Sequence, residues 1–208
     1  FTVERVWAES PGFVNFALSS SWLKRQVDEI RRLGTSFGNS NIGKGAKVQV
    51  EFVSVNPTGP LHVGHARGAV IGSALANILK ACGYKVLKEY YINDAGVQID
   101  LFARSLRARY MELLGKPSEM PSDGYLGAYM VDLAASIHGE FNDRFLDDTG
   151  DDTTTDLGEL GLAKMIEAIR RDLNFIGVEF DVWFSKRSLF TDGQYYESIT
   201  ALKTKGFL

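Results

Sequence analysis

Glu51-Phe52-Val53-Ser54-Val55-Asn56-Pro57-Thr58-Gly59-Pro60-Leu61-His62-Val63-Gly64-His65 is the stretch on which the fold turns. Val48, Val50, Phe52 and Val53 form a strand pattern that runs into a turn rich in Pro and Gly. Two histidines three apart follow, and a helix pattern starts at once. In open α/β sheets, ligands bind in the crevice beyond the carboxyl ends of the strands. The amides at a helix N-terminus favour an anion there. At i and i+3, His62 and His65 fall on one face of the first helical turn, pointing into that crevice. The turn carries no Gly-Lys-Ser/Thr and so is not a Walker loop. Imidazoles are its candidate phosphate donors.

After the turn, Ala69, Val70, Ala74, Leu75, Ile78, Leu79 and Cys82 recur at helical spacing up to Gly83. Lys85 to Ile92 reads as a second strand. Strand, helix and strand within about 45 residues make a βαβ unit with a right-handed crossover. The predicted fold class is therefore α/β, a Rossmann-like half. Three helix patterns follow. The first runs from Gly96 to Leu114 through Leu101, Phe102, Leu106, Tyr110, Leu113 and Leu114, stopped by Gly115 and Pro117. The second runs from Tyr129 to Leu146 with Leu133, Ile137, Phe141 and Phe145 inward. The third carries Leu162, Met165, Ile166, Ile169, Leu173 and Ile176 and ends at Gly177. Phe180, Val182 and Phe184 then alternate as a strand, and Asp192 to Lys205 reads helical. Between the second and third helices, Asp147 to Asp156 is an acidic, Thr-rich connector. It misses the spacing and closing Glu of an EF-hand and reads as a solvated loop.

Upstream of the central stretch, Phe13, Val14, Phe16 and Leu18 suggest a strand. Ser19-Ser20-Ser21 is a helix N-cap region, and Trp22, Leu23, Val27, Ile30 and Leu33 continue at helical spacing to Gly34. Thr35 to Gly45 is rich in Gly, Ser and Asn and reads as a linker, which sets a domain boundary between 45 and 46. The residues alone make the part before it a small packing unit.

Bulk properties bound the function. The 208 residues are 45% hydrophobic and 24% charged, ordinary for a soluble globular protein. A net charge of -3 carries no basic signature of a nucleic-acid partner. One cysteine, Cys82, excludes an internal disulfide framework and fits a reducing cytoplasm. Its place at the end of an apolar helix pattern suits packing rather than reactivity. No apolar run approaches the roughly 20 residues of a membrane span, and no signal peptide is visible. The chain starts at Phe1 and stops after Gly206-Phe207-Leu208, so both ends are read as cut from a longer protein.

His62-Val63-Gly64-His65 resembles the HIGH signature of class I aminoacyl-tRNA synthetases. The longer run from Asn56 to Arg67 resembles arginyl-tRNA synthetases in particular. A bare His-x-Gly-His also occurs in small nucleotidylyltransferases. The flanks Glu51, Asn56 and Tyr91-Ile92-Asn93-Asp94-Ala95-Gly96 sharpen the match, which extends to Pro11-Gly12-Phe13-Val14-Asn15-Phe16 and Phe180-Asp181-Val182-Trp183-Phe184-Ser185. The resemblance implies a HIGH-type nucleotide-binding fold over 46–208, with a helical connective insertion at about 96–178. It makes 1–45 the tail of an N-terminal α+β accessory domain that contacts tRNA.

The activity it implies is ATP-dependent ligation of L-arginine to its tRNA through an arginyl-adenylate, with magnesium accompanying ATP and with activation dependent on bound tRNA. In that chemistry His62 and His65 stabilise negative charge as it builds on phosphate oxygens, without acting as general bases. Gly64 lets the adenine or ribose approach the backbone closely. Ser54 and Asn56 orient the ammonium group of arginine, and Glu51 meets its guanidinium. The full-length protein is expected to be a cytoplasmic monomer with no membrane partner.

Other readings of these residues stay open at this level. The histidine pair could be half of a zinc site, although His138 and Cys82 are the sole further His and Cys, or simply surface residues. Glu51 could lie on a solvated face or pair with a lysine such as Lys85. Asn93-Asp94 could merely form a turn. Arg67 could contact phosphate or cap its helix, and His138, in mid-helix, reads as structural.

Many arginyl enzymes carry a lysine where this chain has Gly59, three residues before the first HIGH histidine. The resemblance then implies that the full-length protein keeps the usual lysine of its downstream KMSKS loop. Without that half, the chain alone is expected neither to activate arginine nor to charge tRNA, and its first catalytic strand is expected to present an apolar edge that another segment or chain covers. A small nucleotidylyltransferase and a non-catalytic synthetase-like binding module are the alternatives. The first is disfavoured by the helical insertion and the second by the intact His62, Gly64, His65, Asn56 and Glu51.

Overall fold

In the computed structural model, residues 1–147 and 156–208 are described. The acidic connector of the sequence reading lies almost wholly outside them. The described residues form two compact units, Phe1–Ala46 with Ile78–Lys85, and Lys47–Asn77 with Val86–Leu208.

In the first unit, β1 (Val3–Glu9) and β2 (Phe13–Leu18) form an antiparallel hairpin, and α1 (Ser20–Leu33) follows. Ser19 caps α1, its hydroxyl accepting the Trp22 N–H at 3.3 Å, and Gly34 ends it at φ 53°. β1 is an addition to the sequence reading. Its charged residues mask the alternation that β2 shows plainly. The apolar stripe of α1 exists, but Leu23, Val27 and Ile30 are exposed. The stretch expected as a linker is ordered by backbone bonds. Gly43 N–H donates to Cys82 O, and Gly45 N–H to Gly83 O, both at 2.8 Å. A Cβ on Gly43 would meet the Tyr84 ring at 2.6 Å, so a side chain there is excluded. Cys82 is a free, half-buried thiol.

In the second unit, β3 (Lys47–Glu51), β4 (Lys85–Ile92) and β5 (Val182–Ser185) make one sheet in the order β3-β4-β5. β4 and β5 run parallel, with Tyr90 opposite Trp183 and Ile92 opposite Ser185. β3 is an edge strand, with Val48 and Val50 half-buried. The helix α2 (Val63–Ala81) buries Ala69 of its predicted stripe but exposes Val70, Leu75 and Ile78. The buried residues are the small Ala69, Gly72 and Ala76. Phe52 explains the choice. A Cβ on Gly72 would lie 2.3 Å from its ring, so the helix approaches the strand's end closely only along a side-chain-free line.

Helices α3 (Val97–Leu113), α4 (Ala128–Phe141) and α5 (Asp156–Phe175) bury Phe102, Leu106, Tyr110, Met130, Ile137 and Leu157 against one another. Phe145, predicted within the second helix, is buried in the turns beyond it. A second cluster joins Ala69 of α2, Tyr90 and Ile92 of β4, and Ile169 and Leu173 of α5, with Phe52, Phe180 and Trp183 packed on it. Half-buried Ile166 touches both clusters, so α5 carries the helical layer onto the sheet. The predicted C-terminal helix is α7 (Gln194–Thr204), and a short additional helix, α6 (Ser188–Thr191), precedes it, separated at Gly193 with φ 81°.

Replacing Gly72 by Ala should destabilise the second unit by about 1–3 kcal/mol, because a methyl forced into the Phe52 ring overpacks the site. Urea unfolding followed by tryptophan fluorescence measures it, and an unchanged midpoint would refute the close-packing account.

Candidate active site

β3 ends at Glu51, and the chain then does something a strand does not. Val53 and Ser54 take φ of 66° and 43°, two consecutive left-handed residues without glycine. For a β-branched valine this is costly, of order 1–3 kcal/mol, and persists only where surroundings over-determine it. The surroundings are visible. Val53 packs on the sheet-side cluster. The Ser54 hydroxyl accepts the Tyr91 N–H at 3.0 Å and donates to Phe52 O at 3.3 Å. Tyr90 donates its hydroxyl to Val55 O at 3.0 Å, and burial pushes that phenol's pKa far up, keeping it a donor. Further on, Tyr129 donates to Thr58 O at 2.7 Å. The segment between β3 and α2 is thus held from both β4 and α4.

At its end, the two histidines start the helix in an unusual way. His62 directly precedes α2, the place where Ser, Thr, Asp or Asn ordinarily caps. Here the His62 ring does so, its Nδ1 accepting the Gly64 N–H at 3.1 Å. His65 reaches back, its Nδ1 accepting the His62 N–H at 3.4 Å. This is the reciprocal logic of a capping box, made from imidazoles. The rings stack, centroids 3.5 Å apart and planes 24° from parallel. Each Nδ1 acts as an acceptor, so a neutral ring must carry its proton on Nε2. Burial first, and the neighbouring His62 second, hold His65 below the usual imidazole pKa of 6.5. The amides of His62 and Gly64 are spent on the rings, which leaves the imidazole Nε2–H groups as side-chain donors at the helix start. Gly64 has its own reason in this geometry. A Cβ there would meet His62 Cε1 at 2.9 Å and Nδ1 at 3.1 Å.

A cleft of about 570 Å³ opens beside this cap, lined by Ser54, Val55, Asn56, Thr58, Gly59, Pro60, His65, Tyr125 and Tyr129. His62, exposed, lines a neighbouring groove with Leu61, Val63 and Phe175. Pro57 is buried beneath the turn. Asn56 Oδ1 accepts from Asn93 Nδ2 at 2.8 Å, and Asn56 Nδ2 donates to Gln98 Oε1. Glu51 lies outside the cleft as the exposed last residue of β3. Arg67 is exposed on α2. His138 bonds Asp143 at 3.1 Å, edge-on to Tyr110.

Asn93 and Asp94 do more than turn the chain. Asn93 Oδ1 accepts from Lys186 Nζ at 3.1 Å. The buried Asp94 carboxylate takes the Ser185 hydroxyl at 2.5 Å and the Arg187 N–H at 2.9 Å. These bonds clamp the carboxyl ends of β4 and β5 together under Asn56. Sequence reasoning passed over Tyr125, Tyr129, Gln98 and Lys186. The pair of tyrosines four apart beside Gly124 and Gly127 was the available signal.

Two outcomes follow for this geometry. Replacing Ser54 by Ala should cost about 1–3 kcal/mol in chemical denaturation, because the Tyr91 amide loses its acceptor. By NMR, His65 should titrate below pH 6.5. A depressed imidazole pKa means the unfolded chain takes up the proton first, so this group's contribution to stability is complete above pH 6.5 and fades as pH falls through the folded value. A His65 titration at or above 6.5 in the free protein would count against the stacked arrangement.

Comparison with known proteins agrees with the geometry. The family model of class I tRNA synthetases (R), catalytic domain, matches residues 29–129. An arginine–tRNA ligase of Dehalococcoides mccartyi is 50% identical over 206 residues, 99% of this chain and 37% of that protein. One from Bacillus subtilis is 42% identical over 205 residues, again 99% and 37%. The chain therefore spans little more than a third of the length of these relatives. Among solved structures, a presumptive arginyl-tRNA synthetase of Campylobacter jejuni superposes with a TM-score of 0.73 at 34% identity, covering 84% of this chain and 38% of that one. The arginyl-tRNA synthetase of Thermus thermophilus shares the fold, with a TM-score of 0.57 at 21% identity over 98% of this chain and 33% of that one. By identity over nearly its whole length, and by fold, the chain is recognised as part of a class I arginyl-tRNA synthetase.

Proposed function

We propose that this protein joins L-arginine to an arginine-accepting tRNA with ATP. The observation that carries the reading is the histidine cap, which sets His65 on the cleft and His62 on the groove beside it, each with Nδ1 occupied and Nε2 left to donate. In the first step an arginine carboxylate oxygen bonds to the α-phosphorus of ATP, the bond to the β-phosphate oxygen breaks, and pyrophosphate leaves. Charge grows on the phosphate oxygens, so donors fixed there favour the transition state over the ground state. His62 and His65 supply them without passing through a proton-transfer step. In the second step the 3′-terminal ribose hydroxyl of the tRNA attacks the arginyl carbonyl carbon, and AMP leaves.

The hydrogen-bond inventory supports the roles proposed for Ser54 and Asn56. Ser54 Oγ already donates once and accepts once, and Asn56 Oδ1 accepts once. Each oxygen retains one lone pair, which suits an ammonium group and not a carboxylate. For Glu51, exposed at the end of β3 and outside the cleft, the proposed guanidinium contact rests on the resemblance alone. Magnesium would arrive with the nucleotide, as the resemblance implies. We assign 1–45 to the tail of a tRNA-contacting accessory domain and 96–178 to the connective insertion. The working protein is a cytoplasmic monomer in this reading. Among the described residues no helix is long and apolar enough to cross a membrane.

The deciding assay is arginine-dependent, tRNA-stimulated ATP–pyrophosphate exchange in the complete gene product. Exchange should appear with arginine, and His65→Asn or His62→Asn should lower kcat by about 10²–10³-fold, the scale of losing a transition-state donor. Gly64→Ala should fall in the same direction, because its methyl displaces the His62 ring. Absence of arginine-dependent exchange in the wild type would overturn the reading.

A further inference from the structure

We propose that Tyr129 is a positioning residue for the nucleotide step, holding the turn that delivers His62 and His65 through the carbonyl of Thr58. The inference builds on the function proposed above and adds a residue from the helical layer to it.

Tyr129 stands in the first turn of α4, far in sequence from the histidines, yet it lines the same cleft as His65. Its hydroxyl donates to Thr58 O at 2.7 Å. Burial first, and Tyr125 second, push the phenol's pKa up, so the hydroxyl keeps its proton across the physiological range. The ring has little freedom. A Cβ on Gly127 would meet its Cε1 at 2.5 Å, and one on Gly59 its Cζ and hydroxyl at 3.4 Å. Two glycines thus lie against opposite edges of the ring. With Gly127 immediately ahead of α4 and Gly59 in the turn, the ring is a spacer between the helix start and the motif.

The position of this tether along the chain divides the site. Ser54 and Asn56 lie before Thr58 and have their own anchors in Tyr91, Asn93 and Gln98. Between Thr58 and the cap lie only Gly59, Pro60 and Leu61. Loosening Thr58 therefore leaves the groups proposed for arginine in place and frees the histidines. A residue that merely stabilised the fold would affect both.

Tyr129→Phe removes the hydroxyl and keeps the ring. In the complete gene product we expect kcat for pyrophosphate exchange to fall about tenfold, with the KM for arginine within about twofold of wild type. Tyr129→Ala should fall further. An independent readout uses the chain itself. In Tyr129→Phe the NMR titration of His65 should move up toward the ordinary imidazole value as the ring gains solvent. Unchanged kcat with an unchanged His65 titration overturns the inference, as does a fall in kcat matched by an equal rise in the KM for arginine. If the wild-type protein shows no exchange, the proposed activity fails, and the His65 titration alone then decides Tyr129.

Discussion

A neutral imidazole has one donor and one acceptor, and the chemistry of this site depends on which nitrogen is which. The start of α2 resolves the question with its own backbone. Two amides that would otherwise point into the cleft are turned onto Nδ1 of His62 and His65. The helix loses two anion-binding amides and gains two oriented side-chain donors, which reach further from the backbone and carry a titratable charge. Gly64 is the steric condition for that exchange, because its amide must approach a ring that any side chain would push aside.

This arrangement is only as good as the support beneath it. The chain enters the motif through two left-handed residues whose strain would relax if nothing opposed it. The opposing contacts come from three directions. Tyr90 and the Tyr91 amide belong to the neighbouring strand, Asn93 and Gln98 to the turn and helix after it, and Tyr129 to the helical layer. Each grips a different peptide or side chain of the same short segment. Rigidity here is distributed, which suits the proposed role of holding a nucleotide and an amino acid at fixed separation.

Much of this was legible in the residues. The βαβ order, the three helices and the histidine turn follow from alternation, periodicity and the Pro/Gly punctuation around Thr58. What was hidden is equally physical. The stripe Val70, Leu75 and Ile78 is a fair helical signal, yet packing chose the smaller line of Ala69, Gly72 and Ala76 because Phe52 comes so close. Strand parity cannot be carried past Val53, since a left-handed pair breaks the alternation, so the surroundings of Ser54 and Asn56 had to come from coordinates. Asn93-Asp94 looked like an ordinary turn because its partners, Ser185, Lys186 and Arg187, are some ninety residues away. Tyr129 was invisible for the same reason.

Arg187 shows how economically the two layers are joined. One guanidinium nitrogen donates to the backbone oxygen of Asp94 at 3.1 Å, and another reaches Glu159 of α5 at 2.5 Å. A planar fork can serve two directions at once, and an ammonium on a flexible stem cannot hold both with the same geometry. Arginine here behaves as a rivet through two plates. Were it lost, a polar joint would go, while the apolar cluster of Tyr90, Ile92, Ile169 and Leu173 would go on holding helix and sheet together.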